Sequence, residues 1–145
     1  MEPKILDSSE VKSRIIQMLE KESETFVSLA TFGTDNYPDV RVLLVVAKEG
    51  MDAIWFATGA ESDKIAQLRK NSKAALYGYD AETMTEFRLF GNVELLSDAA
   101  SRRKIWRDDF LQHFPDGIDS PTWIALRFNT DHGFYDSYGR ETGKF

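Results

Sequence analysis

Apolar residues recur along the chain with two different periods, and the change of period separates predicted helices from predicted strands. Residues 10–22, 62–70 and 98–113 carry apolar side chains at three- and four-residue spacing, which is typical of amphipathic helices. Their buried stripes are predicted to be Val11, Ile15, Met18 and Leu19, then Ile65 and Leu68, then Ile105, Trp106, Phe110 and Leu111. Ser8 or Ser9, Ser62 and Asp98 are the predicted helix starts.

The other apolar runs are shorter and rich in β-branched and aromatic residues, which indicates strands. They cover residues 26–32, 39–47, 53–58, 74–80 and 84–97, followed by a closing hairpin of 123–128 and 132–137 around Asn129, Thr130 and Asp131. Gly91 in the middle of the longest run predicts a bulge or sharp bend of the kind that closes a barrel. Residues 1–145 are therefore expected to form one domain of the α+β class, mainly β, in which six antiparallel strands drawn from these seven runs form a barrel with flanking helices.

Composition limits the classes of function. The 18 basic and 24 acidic residues give a net charge of −6, which argues against binding to nucleic acid or to an anionic membrane surface. The absence of cysteine excludes disulfides, thiolate metal sites and a cysteine nucleophile. Neither a leader sequence nor an apolar run long enough to span a bilayer is recognisable, so the sequence predicts a cytoplasmic protein.

One region has the residue types of an anion site. Arg41 is the only charge in the apolar run of residues 41–47, while Thr58 ends the next strand and Ser62 and Lys64 begin the following helix. Together with the first amides of that helix, these side chains could converge on a phosphate. A purely structural interpretation stays open, in which Arg41 pairs with a carboxylate and Ser62 is an ordinary helix cap.

Other chemistry has little support. His113 and His132 lack partners at metal-binding spacing and are expected to be ordinary surface or loop residues. Asp108 and Asp109 point apart on a helix, which disfavours a paired acid and base, and the basic residues 102–104 are expected to be a solvated helix face. The usual hydrolase and nucleotide-binding motifs do not occur in the sequence.

Four segments in this order resemble a known family: RVLLVV, FATGAESDK, FRLFGNVELL, and IWRDDFLQHFPDGIDSPTWIALRF followed by FYDS. They are similar to the pyridoxamine phosphate oxidase-like flavin proteins, which have the FMN-binding split-barrel fold, and within these to the bacterial general stress protein branch. The resemblance implies that FMN is bound between the two chains of a homodimer.

The resemblance also implies roles for single residues. Arg41, Ser62 and Lys64 match the family's phosphate contacts, and Thr58 matches a threonine that follows an aromatic strand residue. The backbone of five residues is expected to pass along the flavin ring: Val42, Leu43, Leu44, Val45 and Val46. Asp63 stands where many relatives have a second arginine. Tyr135, a predicted ring contact, stands where a tryptophan is usual.

The function implied is that of an FMN-dependent oxidoreductase with an unknown substrate and a small redox partner such as NAD(P)H. Arg140 and Lys144 are the only basic residues near the C-terminus, which disfavours oxidation of pyridoxamine phosphate itself. A flavin supplies its own redox chemistry, so no catalytic triad is required. The alternatives are a protein that stores or senses FMN without catalysis, and a barrel that has lost its cofactor. Related barrels also bind a deazaflavin or haem, and a deazaflavin remains open here.

Overall fold

The computed structural model describes residues 2–145, in which nine β-strands are accompanied by three α-helices and a short 3-10 helix. The helices are α1 (Ser8–Glu20), α2 (Asp63–Lys70) and α3 (Ala99–Ile105), with the 3-10 helix at Asp108–Gln112. The strands are β1 (Lys4–Ile5), β2 (Phe26–Phe32), β3 (Pro38–Leu44), β4 (Ala47–Glu49), β5 (Ala53–Gly59), β6 (Lys73–Asp80), β7 (Thr85–Leu96), β8 (Trp123–Ser137) and β9 (Glu141–Lys144).

The strands form one mixed sheet in the order β1-β9-β8-β7-β6-β2-β3, and β5 branches from β8 and also pairs with β4. The pair β1 and β9 is parallel and the other pairs are antiparallel. Within residues 2–145, β3 has β2 as its one paired neighbour, so strand pairing does not close a ring. The mainly β class is confirmed. The six-stranded antiparallel barrel is not confirmed, since the sheet has nine strands and one parallel pair, and the short β1, β4 and β9 carry no apolar alternation that marks them in the sequence.

The first helix begins at a different cap from the one predicted. Asp7 accepts a bond from the Glu10 amide at 2.8 Å, and the Glu10 carboxylate accepts one from the Asp7 amide at 2.9 Å, which completes a capping box. Ser8 and Ser9 are helical residues. Val11, Ile15 and Leu19 are fully buried as predicted, so α1 covers the interior of the sheet.

The prediction of a closing hairpin is wrong, because residues 123–137 form a single 15-residue strand. The polar run after Phe128 reads as a turn in the sequence, but Thr130 stays in the sheet and donates its amide to Asp52 O at 3.0 Å. A register shift between Phe90 and Gly91 absorbs one extra residue of β8, which confirms the predicted bulge. A Cβ on Gly91 would lie 1.9 Å from Asn129 O, so only glycine fits at this position.

The predicted strand over residues 39–47 is divided in two. After β3, the amide of Val45 donates to Thr25 O and the amide of Val46 donates to Trp55 O, so the backbone crosses from the side of β2 to the side of β5. The apolar run does not make β3 a buried strand: β3 is an edge strand, and Val40 and Val42 are 63% and 64% exposed.

The third predicted helix is also interrupted. α3 ends at Ile105, Trp106 and Arg107 are extended, and a 3-10 helix follows. This break turns Phe110 inward to 8% exposure but leaves Leu111 45% exposed, so the predicted burial of Leu111 is wrong. α3, the 3-10 helix and the loop that follows cover the outer face of β5 and β8 with a second apolar cluster around Trp55 and Trp123.

None of the helices found among residues 2–145 combines the length and apolar character that a membrane crossing requires.

Candidate functional site

Lys64, in the first turn of α2, is the centre of a small polar cluster at the end of β5. Its Nζ donates to Thr58 Oγ1 at 2.7 Å and to Ser62 Oγ at 3.2 Å. Ser62 occupies the N-cap position of α2, but its hydroxyl makes no capping bond and accepts from Lys64 instead. The structure therefore brings together three of the predicted site residues, and the interpretation of Ser62 as an ordinary side-chain cap is wrong.

The charge of Lys64 is poorly compensated by its own chain. Burial lowers the pKa of its ammonium, and the nearby positive charge of Arg41 lowers it further, while Asp63 acts in the opposite direction. Among the ion pairs formed by residues 2–145, none includes Lys64. A half-buried ammonium held only by neutral oxygens is a good site for an anion.

Arg41 is held by four acceptors on its own chain. Its Nη1 donates to Leu29 O at 3.2 Å and to Thr31 Oγ1 at 2.8 Å. Its Nη2 donates to Gln67 Oε1 at 2.9 Å and lies 3.0 Å from Asp39 Oδ2. The structural interpretation, an arginine paired with a carboxylate, therefore describes Arg41 in this state.

Gln67 holds this arginine network together. It is 7% exposed, its Oε1 also accepts from Thr31 at 2.6 Å, and its Nε2 donates to Asp39 at 2.9 Å. The bond from Gln67, then the Val40 amide and the charge of Arg41, lower the pKa of Asp39. Arg41 is thus fixed in position, and it acts on Lys64 through its field.

A cavity of about 430 Å³, within the usual size range of small-molecule sites, opens beside Thr58. We call it the strand-end cavity, because β3 and β5 end there and the 3-10 helix segment forms the opposite wall. Its lining consists of Leu44, Val46, Ala57, Thr58 and Gly59 on the sheet side, and Arg107, Asp109, Phe110, Gln112, His113 and Phe114 on the other side. Since Thr58 belongs both to this lining and to the Lys64 cluster, the cavity, whose lining is part apolar and part polar, lies next to the ammonium of Lys64.

The aromatic wall of the strand-end cavity rests on Trp123, which is fully buried. The Trp123 ring lies 6.4 Å from that of Phe110, 6.1 Å from that of Phe114 and 5.6 Å from that of Trp106, measured between centroids. Contacts of this kind hold the two phenylalanines in place beside the cavity.

The charged residues of the cavity lining neutralise one another. Arg107 donates to both carboxylate oxygens of Asp109, at 3.3 and 3.0 Å, and its Nη2 lies 3.4 Å from Glu24 Oε1. The bond to Asp109 raises the pKa of the Arg107 guanidinium, and the same bond lowers the pKa of Asp109. The uncompensated positive charge of the site is therefore concentrated at Lys64, since Arg41 is paired with Asp39.

The remaining predicted residues do not join the cluster within one chain. Of the five predicted backbone contacts, Leu44 and Val46 line the cavity, Leu43 and Val45 pack against the core, and the side chain of Val42 faces outward. Tyr135 is 5% exposed and lies in the core, beside a different cavity of about 530 Å³ that Arg14 and Arg140 also line. Its contact with a flavin ring remains a prediction that requires a second chain.

The sequence did not identify the wall formed by residues 107–114. His113 is exposed, as expected for a surface residue, and it also lines the strand-end cavity with Gln112. The sequence pattern does not reveal the break after Ile105. In a continuous helix these side chains would point away from the cavity. The extended backbone of Trp106 and Arg107 has no proline or glycine to mark it.

The outer face of β3, β2 and β6 carries large exposed apolar side chains. Val42 and Tyr77 both pair with Ser28, so they lie in one row across the three strands. The exposed set comprises Phe26, Phe32, Val40, Val42, Tyr77 and Tyr79. Patches of this kind on soluble proteins mark interaction surfaces.

Comparison with protein families gives one match over most of the chain. The family described as pyridoxamine 5′-phosphate oxidase matches residues 16–135. A pyridoxine/pyridoxamine 5′-phosphate oxidase of Legionella pneumophila (strain Lens) is 34% identical over 82 residues, covering 57% of this chain and 38% of the relative. The enzyme of that name from Thermosynechococcus vestitus is 32% identical over 99 residues, covering 68% and 44%. The matched part thus spans less than half the length of these relatives.

Solved structures share the fold over nearly the whole chain. A Clostridium acetobutylicum protein related to general stress protein 26 of B. subtilis superposes with a TM-score of 0.83 at 26% identity, covering 96% of each chain. General stress protein 26 of Bacillus anthracis superposes with a TM-score of 0.72 at 17% identity, covering 87% of this chain and 93% of that chain. The arrangement of strands and helices found here is therefore shared with these proteins.

Proposed function

Because this chain belongs to the pyridoxamine 5′-phosphate oxidase family, we propose that it is an FMN-binding oxidoreductase that resembles flavin reductases or pyridoxamine phosphate oxidases. The observation that carries the proposal is the half-buried Lys64, which donates to the neutral hydroxyls of Thr58 and Ser62, because Thr58 also lines the strand-end cavity. An organic phosphate with a flat ring matches both parts of this site, its phosphate at Lys64 and its ring in the strand-end cavity.

The residues present fit FMN at both ends. Lys64, Thr58 and Ser62 would hold the phosphate, and Arg41 would add to the positive field without leaving its network. The strand-end cavity would hold the ring against the backbone of residues 44–46, with Phe110 and Phe114 on the opposite side. Asp63 reduces the field relative to family members that have an arginine at this position.

A bound flavin supplies hydride transfer, and the protein controls which molecule can approach it. In this chain the aromatic wall would exclude water from one side of the ring, and Gln112 and His113 would face a ligand that stacks there. Arg107 is already neutralised by Asp109. This ion pair would attract the phosphate of a pyridoxamine phosphate substrate only weakly. We infer that the redox partner is recognised mainly by its flat ring, as a nicotinamide would be.

We also propose that two chains associate through the exposed face of β3, β2 and β6. Val40, Val42 and Phe26 are each more than half exposed, a costly arrangement for a lone chain in water. Val40 and Val42 of the edge strand β3 belong to this apolar face, and Leu44, the last residue of β3, lines the strand-end cavity. A two-fold pairing here would bring two equivalent cavities to one interface.

Light scattering at micromolar concentration should therefore give twice the chain mass of 16.6 kDa. Val42→Lys, which introduces a charge at the middle of the exposed face, should shift the protein towards the monomer and weaken FMN binding at the same time. Lys48→Glu on the exposed part of β4 is the control and should leave the mass unchanged. A stable monomer with full FMN affinity would contradict the intersubunit site.

The proposed function is tested by titrating the apo protein and then supplying a reductant. FMN should bind without a covalent link and more tightly than riboflavin, because only FMN carries the phosphate that Lys64 would contact. Under anaerobic conditions NADH or NADPH should then bleach the bound flavin faster than FMN in free solution, measured by stopped-flow absorbance. Equal affinity for the two flavins would contradict the phosphate site. Tight FMN binding without faster bleaching would instead favour storage or sensing of the flavin.

A further inference from the structure

Arg102 of α3 is a buried cation without a carboxylate partner. It is 8% exposed, and within residues 2–145 it takes part in no ion pair. Its guanidinium donates instead to four backbone carbonyl oxygens: Ser97 O at 3.0 Å, Ile118 O at 2.9 Å, Ser120 O at 2.8 Å and Trp123 O at 3.2 Å. Desolvating a charge is costly, so a cation satisfied only by carbonyl dipoles strongly fixes the segment that supplies them.

Three of the four carbonyls belong to residues 118–123, and this segment is bonded directly to the loop of the proposed phosphate site. The carbonyl of Thr122 accepts from the amide of Ala60 at 2.9 Å. Ser120, which is 2% exposed, places its Oγ 2.6 Å from Thr122 Oγ1 and also accepts from the Thr122 amide at 3.2 Å. Ala60 lies two residues before Ser62, in the loop that joins β5 to α2. A continuous path of hydrogen bonds therefore runs from Arg102 to this loop.

Arg102 also supports the aromatic wall of the strand-end cavity. Its guanidinium carbon lies 4.8 Å from the centroid of the Trp123 ring, a distance typical of a cation–π contact. Trp123 in turn contacts Phe110 and Phe114, which line the cavity. One side chain thus supports both the phosphate side and the ring side of the site, although it touches neither.

We propose that Arg102 is a positioning residue that sets the place of the β5–α2 loop for phosphate binding. The proposal rests on the proposed FMN function. Arg102 acts through Ser120 and Thr122 on Ala60, and so on Ser62 and Lys64. Lysine cannot replace it fully, because one ammonium carries three donors on a flexible stem whereas the planar guanidinium reaches four carbonyls at once.

The test compares FMN with riboflavin in Arg102→Lys and Arg102→Met, with Arg103→Met as the control. Arg103 is the adjacent arginine of the same helix, and it is exposed. In the Arg102→Lys variant the preference for FMN over riboflavin should fall about tenfold, as expected when a binding group loses its alignment. Riboflavin affinity should change far less, because lysine keeps a positive charge that can stay beside the Trp123 ring, and the control should keep the preference of the wild-type protein.

The outcomes separate this proposal from the proposed function. If the wild-type protein does not prefer FMN, the proposed function fails, and this inference fails with it. If the wild-type protein prefers FMN and folded Arg102→Lys keeps the same preference, Arg102 is only a structural residue and the inference alone is overturned. If neither Arg102 variant folds, Ser120→Ala decides, because it breaks the path at the next residue. A reduced FMN preference in Ser120→Ala supports the proposal, and an unchanged preference overturns it.

Discussion

Replacing Lys64 by methionine should weaken FMN binding by about 10- to 100-fold and change riboflavin binding by less than about twofold. FMN binding loses a charge-assisted hydrogen bond between Lys64 and the phosphate. Riboflavin has no phosphate, so its binding does not depend on this bond. The apo variant should unfold at the same temperature as the wild-type protein or a higher one, because burial and Arg41 make the charge of Lys64 unfavourable there. Fluorescence titration with each flavin and thermal unfolding measure these quantities.

The same residue predicts how FMN affinity depends on pH. Because the pKa of Lys64 lies below its usual value, the ammonium loses its proton at a lower pH than an exposed lysine does. FMN affinity should therefore fall as the pH rises through that lowered pKa, and Lys64→Met should lose this pH dependence. Phosphate binding favours the charged amine, so FMN binding should take up protons in that pH range. Lys70→Met, at the exposed end of the same helix, is the matched control and should behave like the wild-type protein.

Gly91→Ala should be the most destabilising of these substitutions, with a loss of about 3 kcal/mol in the free energy of unfolding. The added methyl group would lie 1.9 Å from Asn129 O and 2.9 Å from the Asn129 carbonyl carbon, both backbone atoms of β8. This overlap can be relieved only if β7 and β8, the two longest strands, move apart at the bulge. Urea unfolding followed by circular dichroism measures the change.

Gly59→Ala is a suitable control for stability. It also replaces a strand glycine, but a Cβ at Gly59 meets no atom within 4 Å. We expect its free energy of unfolding to stay within about 0.5 kcal/mol of the wild-type value. Equal stability of the two variants would show that the bulge tolerates a side chain and that the close approach at Gly91 does not constrain the sheet.

The sequence predicted best those parts of the site whose residues are close along the chain. Thr58, Ser62 and Lys64 lie within seven positions, and one strand end and one helix start bring them together. The bulge at Gly91 was also predictable, because a glycine in a long strand has few other roles. In both cases the determining interactions are local or depend on one special residue.

Features set by distant residues were not predictable from the pattern. Two of the four acceptors of Arg41, Thr31 and Gln67, lie 10 and 26 positions away along the chain, and no local rule selects them. The basic run of residues 102–104 was expected to be solvated, yet Arg102 is buried, because its carbonyl partners lie as far away as Trp123. Helical periodicity indicates which face of a helix is apolar. It does not indicate which hydrogen-bond partners the long polar side chains find once the chain has folded.

The pairing of β5 with β8 has a kinetic consequence. It joins Ala53 to Asn129 and Gly59 to Trp123, so the chain must close very long loops before these strands can meet. Topologies dominated by such distant pairings fold slowly, because the entropy of closure is lost before the contacts form. We expect the bond between Ala60 and Thr122 to form in the same late step, so that the loop beside Lys64 takes its final form near the end of folding. We therefore expect a ligand of this site to slow unfolding and to leave the rate of folding almost unchanged.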